Sequence, residues 1–246
     1  MGGWMAELNQ PIRSVSGNST PRDPSHWPFT IPAVAQLFTE PLRLTSCTVL
    51  VGDNGSGKST ITEAIAEAFG LNPEGGSTGA MHTTRRSESV LAQHLTLSRG
   101  ATASRWGYFF RAETMHGLFT YLERTNISPR LHERSHGEAF WEIITMRCFA
   151  NNGEPKPGLY VFDEVESALS FNSSLRMLAM FTELSRATGV QLLLATHSPV
   201  LAAIPGARIL QFDADGITPR EWADLDLVSG ERHFLADPHT FLRHLN

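Results

Sequence analysis

Short, nearly unbroken apolar runs recur along this chain and alternate with segments whose apolar residues return at helical spacing. Cys47-Thr48-Val49-Leu50-Val51 is rich in β-branched residues and is stopped by Gly52, the pattern of a buried strand entering a glycine turn. From Lys58, the residues Ile61, Ala64, Ile65, Ala68 and Phe69 fall at i, i+3, i+4, i+7 and i+8, and Gly70 supplies a stop, so a helix is predicted there. Further runs follow at Trp106-Gly107-Tyr108-Phe109-Phe110, Leu159-Tyr160-Val161-Phe162, Val190 to Ala195 and Arg208 to Phe212. A helical pattern through Leu175, Leu178, Phe181 and Leu184 separates two of them. Strands that are apolar throughout, alternating with helices, predict an α/β fold with a mostly parallel central sheet flanked by helices.

The polar stretches divide the chain. Residues 1–26 are rich in Ser, Pro, Asn and Gly without an apolar period and predict a loosely ordered lead-in; residues 27–246 read as a single domain. Within it, about 71–105 reads as a Gly/Ser/Arg-rich insert, and about 114–152 as a helical lobe. A length of 246 residues suits one large α/β domain better than two, and 41% hydrophobic with 18% charged residues is ordinary for a globular chain. No segment approaches the ~20 apolar residues of a membrane span. Met1 to Glu7 lacks the basic start and apolar stretch of a secretory signal, which predicts a cytoplasmic chain. Cys47 and Cys148 both sit in apolar patterns and read as small buried hydrophobes.

A formal net charge of −5 argues against a surface that is basic throughout. Locally, Arg85, Arg86, Arg99, Arg105 and Arg111 face a single acid, Glu88, so a basic patch for a nucleic-acid or protein partner is a candidate here, beside the alternative of a solvated, charge-mixed face.

Chemistry concentrates after the first strand. Gly52-Asp53-Asn54-Gly55-Ser56-Gly57-Lys58-Ser59-Thr60 matches a phosphate-binding loop: small residues leave backbone N–H groups free for phosphate oxygens, and the helix that follows presents its positive end. Lys58 would reach the β- and γ-phosphates of ATP, and the Ser59 hydroxyl would ligate Mg2+. A chance match arises in well under about 1% of chains this long, and here a strand and a helix flank it as the cradle requires. Asp163-Glu164 ends a later strand; Asp163 would hold the magnesium through water, and Glu164 would orient or deprotonate the attacking water. His197, in Ala195-Thr196-His197-Ser198-Pro199, ends another strand at the ligand-bearing edge and would donate to the γ-phosphate. Ser135-His136-Gly137-Glu138 reads first as a capping box, with Ser135 as N-cap, and also as a second anion site with free backbone donors.

These motifs, with the segment Ser167-Ala168-Leu169-Ser170, occur in an order that resembles the ABC-type ATPases, specifically the small stand-alone ATPases related to the heads of chromosome-maintenance and recombination-repair proteins. The resemblance spans about Trp27 to Phe212. It implies ATP hydrolysis in a head-to-tail dimer, in which the signature segment Ser135-His136-Gly137-Glu138 of one copy closes over ATP held by the loop of the other. It further implies a magnesium-sensing position at Glu113, where glutamine is usual. Two other departures are His136-Gly137 in place of a double glycine and Ser170 where aspartate is common. Trp27 and Phe29 are candidates for stacking on adenine, or are simple core.

Two other functions compete. One is a binding module in which ATP acts as a dimer clamp with negligible turnover. The other is a zinc protease through His132-Glu133-Arg134-Ser135-His136, which matches H-E-x-x-H. The protease needs both histidines on one helical face; if Ser135 caps the helix, His132 lies outside it.

Overall fold

The structure is a computed structural model that describes residues 8–19, 21, 23–78, 90–112 and 136–243. Ten strands are described: β1 (Ser14–Gly17), β2 (Leu42–Arg43), β3 (Cys47–Gly52), β4 (Gly76–Ser77), β5 (Leu95–Ser98), β6 (Gly107–Arg111), β7 (Gly158–Asp163), β8 (Val190–Ala195), β9 (Arg208–Asp213) and β10 (Gly216–Arg220). The described helices are α1 (Pro32–Gln36), α2 (Lys58–Phe69), α3 (His136–Cys148), α4 (Phe171–Arg186), α5 (Pro199–Ala202), α6 (Asp226–Ala236) and α7 (Pro238–Leu242).

Seven strands form the main sheet in the order β10-β9-β3-β8-β7-β6-β4. The five inner strands, β9, β3, β8, β7 and β6, run parallel, and β10 and β4 close the two edges antiparallel. Every strand on which the sequence placed an unbroken apolar run lies in this parallel core, buried on both faces, and the α/β class stands as read. Successive side chains serve opposite faces. On one face Val49, Tyr160, Phe162, Leu192 and Leu194 pack with Ile143 and Ile144 of α3, Met177, Phe181 and Leu184 of α4, and Leu201 of α5. On the other, Leu50, Leu159, Val161, Leu193 and Leu210 pack with Ile61 and Ile65 of α2, Val34 of α1, and Ile12, Val15, Leu42 and Leu95.

These last residues belong to a second, antiparallel sheet of order β2-β1-β5 and its approach. It corrects two expectations. The segment before Trp27 is not loosely ordered throughout: β1 lies there, and Ile12 and Val15 are fully buried. The stretch read as an insert contributes β4 to the main sheet and β5 to the small one. The small sheet is joined to the large one through Gln191, a nearly inaccessible polar residue on β8. Its side chain accepts the Ile12 N–H at 2.7 Å and donates to the carbonyls of Ile12 (2.7 Å) and Thr45 (2.9 Å).

The predicted helix after the loop is observed over Lys58–Phe69, ended by Gly70 in the left-handed conformation. In α4 the buried stripe is Ser174, Met177, Met180, Phe181 and Leu184, whereas Leu175 is exposed, so the inward face is rotated from the one the leucines suggested. Both cysteines are free and buried, and burial alone pushes the Cys47 thiol up to about 12, which makes it inert as a nucleophile at neutral pH. Among the described residues no helix is long and apolar enough to cross a membrane.

Gln191→Leu is expected to lower the unfolding free energy by about 2 kcal/mol or more, because the Ile12 N–H and the Thr45 carbonyl lose buried partners. A urea midpoint unchanged from the wild type would contradict this role.

Candidate phosphate-binding site

Parallel strands end at a common edge, so the residues that follow β3, β7, β8 and β9 gather in one place. After β3 the chain turns through Gly52, Gly55 and Gly57, all at positive φ, into α2. Two of these glycines are required by contact as well as by conformation. A Cβ on Gly52 would stand 2.2 Å from the Phe212 carbonyl oxygen, and one on Gly57 would stand 2.7 Å from Ile31 Cγ2. The loop is therefore wedged between β9 and the start of α1. No side chain caps α2 at Gly57, which leaves its first-turn N–H groups facing the loop.

Lys58 is only 3% exposed. Its ammonium donates back to the carbonyls of Gly52 (2.7 Å) and Asp53 (2.9 Å), so the side chain lies across the loop it follows. Burial pushes its pKa below the ordinary lysine value, while Glu164, Asp163, Asp53 and Glu166, in that order, push it back up. A buried cation beside a glycine loop fits a site that receives negative charge. The Ser56 hydroxyl, in the middle of the loop, is buried without a hydrogen-bond partner among the described residues. That orphan is a donor a phosphate oxygen would satisfy.

Ser59 brings α2 to β7: its hydroxyl donates to Asp163 Oδ1 at 3.0 Å. Asp163, 4% exposed, has its other oxygen 3.6 Å from Arg111 Nε, and Arg111 Nη1 also meets Glu63 Oε2 at 2.7 Å. A hydroxyl beside a carboxylate is a hard oxygen pair of the kind magnesium takes, and the residues fit that ion. Glu164 is the one described non-glycine residue at positive φ (φ 52°, ψ 36°). Such backbone costs about 1 kcal/mol or more, and strain of this kind gathers at functional turns. From it, Glu164 Oε1 reaches to 3.4 Å from His197 Nε2. A cavity of about 490 Å3 opens beside the loop, with Asp53, Asn54, His197 and Asp213 among its walls.

The structure thus brings together Gly52 to Thr60, Asp163, Glu164 and His197. His136, Gly137 and Glu138 form the first turn of α3. Ser135, Glu113, and His132 and Glu133 of the protease alternative lie outside the described residues. Ser170, where aspartate is common, serves as the N-cap of α4 and accepts the Ser173 N–H at 3.3 Å, a role either side chain fills. Phe29 is core, packed edge-on against Phe38 and His94, whereas Trp27 is 67% exposed.

The basic patch is corrected in part. Arg99 lies over the Phe69 ring at 4.4 Å and donates to the Phe69 carbonyl, and Arg111 is turned into the site, so neither offers a free surface charge. Arg105 is exposed, while Arg85, Arg86 and Glu88 lie outside the described residues. Two residues that sequence reasoning passed over belong to the site. Arg111 was counted only as a surface charge, and Glu166, whose carboxylate accepts the His197 N–H at 2.5 Å, was not singled out. The spacing of Glu166 three residues after Asp163 was the only available signal.

No protein-family model matches the chain. It is 25% identical over 211 residues to the methionine import ATP-binding protein MetN of Streptococcus pyogenes serotype M18, a match covering 76% of this chain and 58% of that protein. The chain thus spans little more than half the length of the curated relatives it matches. Among solved structures it is similar to the SMC head domain from Thermotoga maritima, at 16% identity and TM-score 0.42, over 74% of this chain and 93% of that one. It is also similar to a bacterial ABC transporter cassette solved as a dimer, at 14% identity and TM-score 0.40, over 75% and 90%. In sequence the chain is thus similar to the ATP-binding subunit of an importer, and its motifs stand in the order seen in the ABC-type P-loop ATPases it resembles.

Proposed function

We propose that this chain binds Mg-ATP in the Gly52–Thr60 loop and hydrolyses it, working as a head-to-tail dimer that closes on nucleotide and opens after hydrolysis. The observation that carries the reading is the convergence of Lys58, Ser59 and Asp163, with Ser59 and Asp163 already 3.0 Å apart. The loop N–H groups and the start of α2 would take the phosphates, as would Lys58 on exchanging its two carbonyl partners for phosphate oxygens. Ser59 and Asp163 would hold magnesium, which when bound neutralises charge on the phosphates; Arg111, 3.6 Å from Asp163, flanks that carboxylate.

Glu164 is assigned to orient and deprotonate the attacking water, and its carboxylate stands 3.4 Å from His197 Nε2 at the end of β8. His197 is assigned to the γ-phosphate. Glu113 is assigned to magnesium, and Ser135-His136-Gly137-Glu138 to the nucleotide of the facing copy; both assignments rest on the family resemblance. Trp27, with its exposed ring, is the better of the two candidates for stacking on adenine.

Two substitutions separate binding from chemistry. Lys58→Ala is expected to weaken ATP affinity at least about tenfold, as loss of a charged donor to phosphate predicts; calorimetric titration giving an unaltered Kd would remove Lys58 from the cradle. Glu164→Gln should keep ATP affinity and lower steady-state turnover at least about 100-fold, as loss of a general base predicts. It should also shift the protein to a dimer in size-exclusion chromatography with Mg-ATP. Turnover equal to that of the wild type would assign the water-activating role elsewhere, and wild-type turnover as low as the variant's would favour the ATP-clamped binding module.

A further inference from the structure

Where β8 ends, its backbone hydrogen bonds run out in a definite order. The Ala195 carbonyl accepts the Glu164 N–H at 3.0 Å, and the Thr196 N–H goes to the Leu50 carbonyl at 3.0 Å, the last contact with β3. The next N–H, that of His197, lies beyond the strand and has no carbonyl to meet. Its acceptor is a side chain from another element: Glu166 Oε1, at 2.5 Å. Glu166 arrives there because the left-handed backbone at Glu164 turns the chain into a single 3-10 turn, Val165–Ala168, that comes back over the end of β8.

We propose that Glu166 is a positioning residue whose carboxylate, by holding the His197 backbone N–H, sets where the His197 ring stands against Glu164. The inference rests on the ATPase reading above and goes beyond it, since neither the motif order nor the similarities assign Glu166 a task. Glu166 holds His197 at its backbone, while Glu164 Oε1 stands 3.4 Å from ring Nε2, an atom with no hydrogen-bond partner among the described residues. The second contact is long for a hydrogen bond, so the ring is not fixed by Glu164 alone and takes its place from the backbone that Glu166 anchors. Beyond His197 the loop is held locally, by the Ser198 N–H on Thr196 Oγ1 and by Ser198 capping α5.

A neutral acceptor such as Ser or Asn would satisfy one N–H. The carboxylate adds two things: a charge-assisted and therefore shorter and stiffer bond, and a negative charge that reaches Lys58. It is kept at some cost, because Glu166 Oε2 is buried with no hydrogen-bond partner among the described residues. Displacing a reacting group by an ångström can lower a rate about 100-fold, so a tether on the His197 backbone bears on turnover and leaves the loop that grips ATP untouched.

The test compares Glu166→Ala and Glu166→Gln with the wild type in steady-state ATP hydrolysis, and in amide hydrogen exchange of the nucleotide-free protein at His197. Glu166→Ala is expected to lower kcat about tenfold or more with KM for Mg-ATP within about twofold, the pattern of a lost transition-state placement. It should also speed exchange of the His197 amide, while exchange in β3 and β8 stays as in the wild type. Glu166→Gln, which keeps an acceptor oxygen, is expected to recover most of both effects. If Glu166→Ala does not fold, Glu166→Met, similar in length without an acceptor, takes its place. Wild-type kcat and His197 exchange in the acceptor-free variant would overturn the proposal, as would parallel loss of kcat and KM that Gln does not relieve. If the wild type hydrolyses no ATP, the ATPase reading fails, and His197 exchange alone decides whether Glu166 holds that backbone.

Discussion

The hydrogen bond from Ser59 to Asp163 joins the first turn of α2 to the end of β7, across the strand that lies between β3 and β7. It can form only if β3, β8 and β7 are parallel and in register, with Leu50 and Asp163 both level with Ala195. It also requires the glycine turn after β3 to deliver α2 at the correct height. The two hydrophobic clusters keep those strands in register from either face, and Gln191 ties the small sheet to the same strand. Packing far from the loop thus fixes a distance of 3.0 Å within it.

Around that bond the charges are arranged in tension. Lys58 is buried and turned onto its own loop, Asp163 is divided between Ser59 and Arg111, and Glu164 sits on strained backbone facing His197. Each of these contacts is one that a triphosphate with its cation would replace or strengthen. The site is preorganised in its backbone and provisional in its side-chain partners, a combination that suits the proposed cycle of nucleotide binding and release.

The phosphate loop was legible in the sequence because it is local: strand, glycine turn and helix occupy consecutive residues, and Gly52, Gly57 and Lys58 are each demanded by contacts within or beside that turn. Asp163, Glu164 and His197 were legible as strand ends, once the strands were taken as parallel. Glu166 and Arg111 were not, since their partners lie 31 and 48 or more residues away and no periodicity marks them. β1 was hidden for a different reason: four residues with a single buried side chain, among serines and a glycine, carry too weak an alternation to be read. In α4, Phe181 and Leu184 of the predicted stripe are buried, but Met177 and Met180 complete the inward face while Leu175 faces out.

The central claim is that this edge of the sheet is a receptor for a triphosphate and its divalent cation together. Equilibrium titration of the wild-type protein with ATP, in magnesium and again in chelator, tests it most directly. The account predicts saturable binding of one nucleotide per chain that is clearly tighter with the metal. Folded protein that takes up no ATP, or that binds it equally well without a divalent cation, would contradict it.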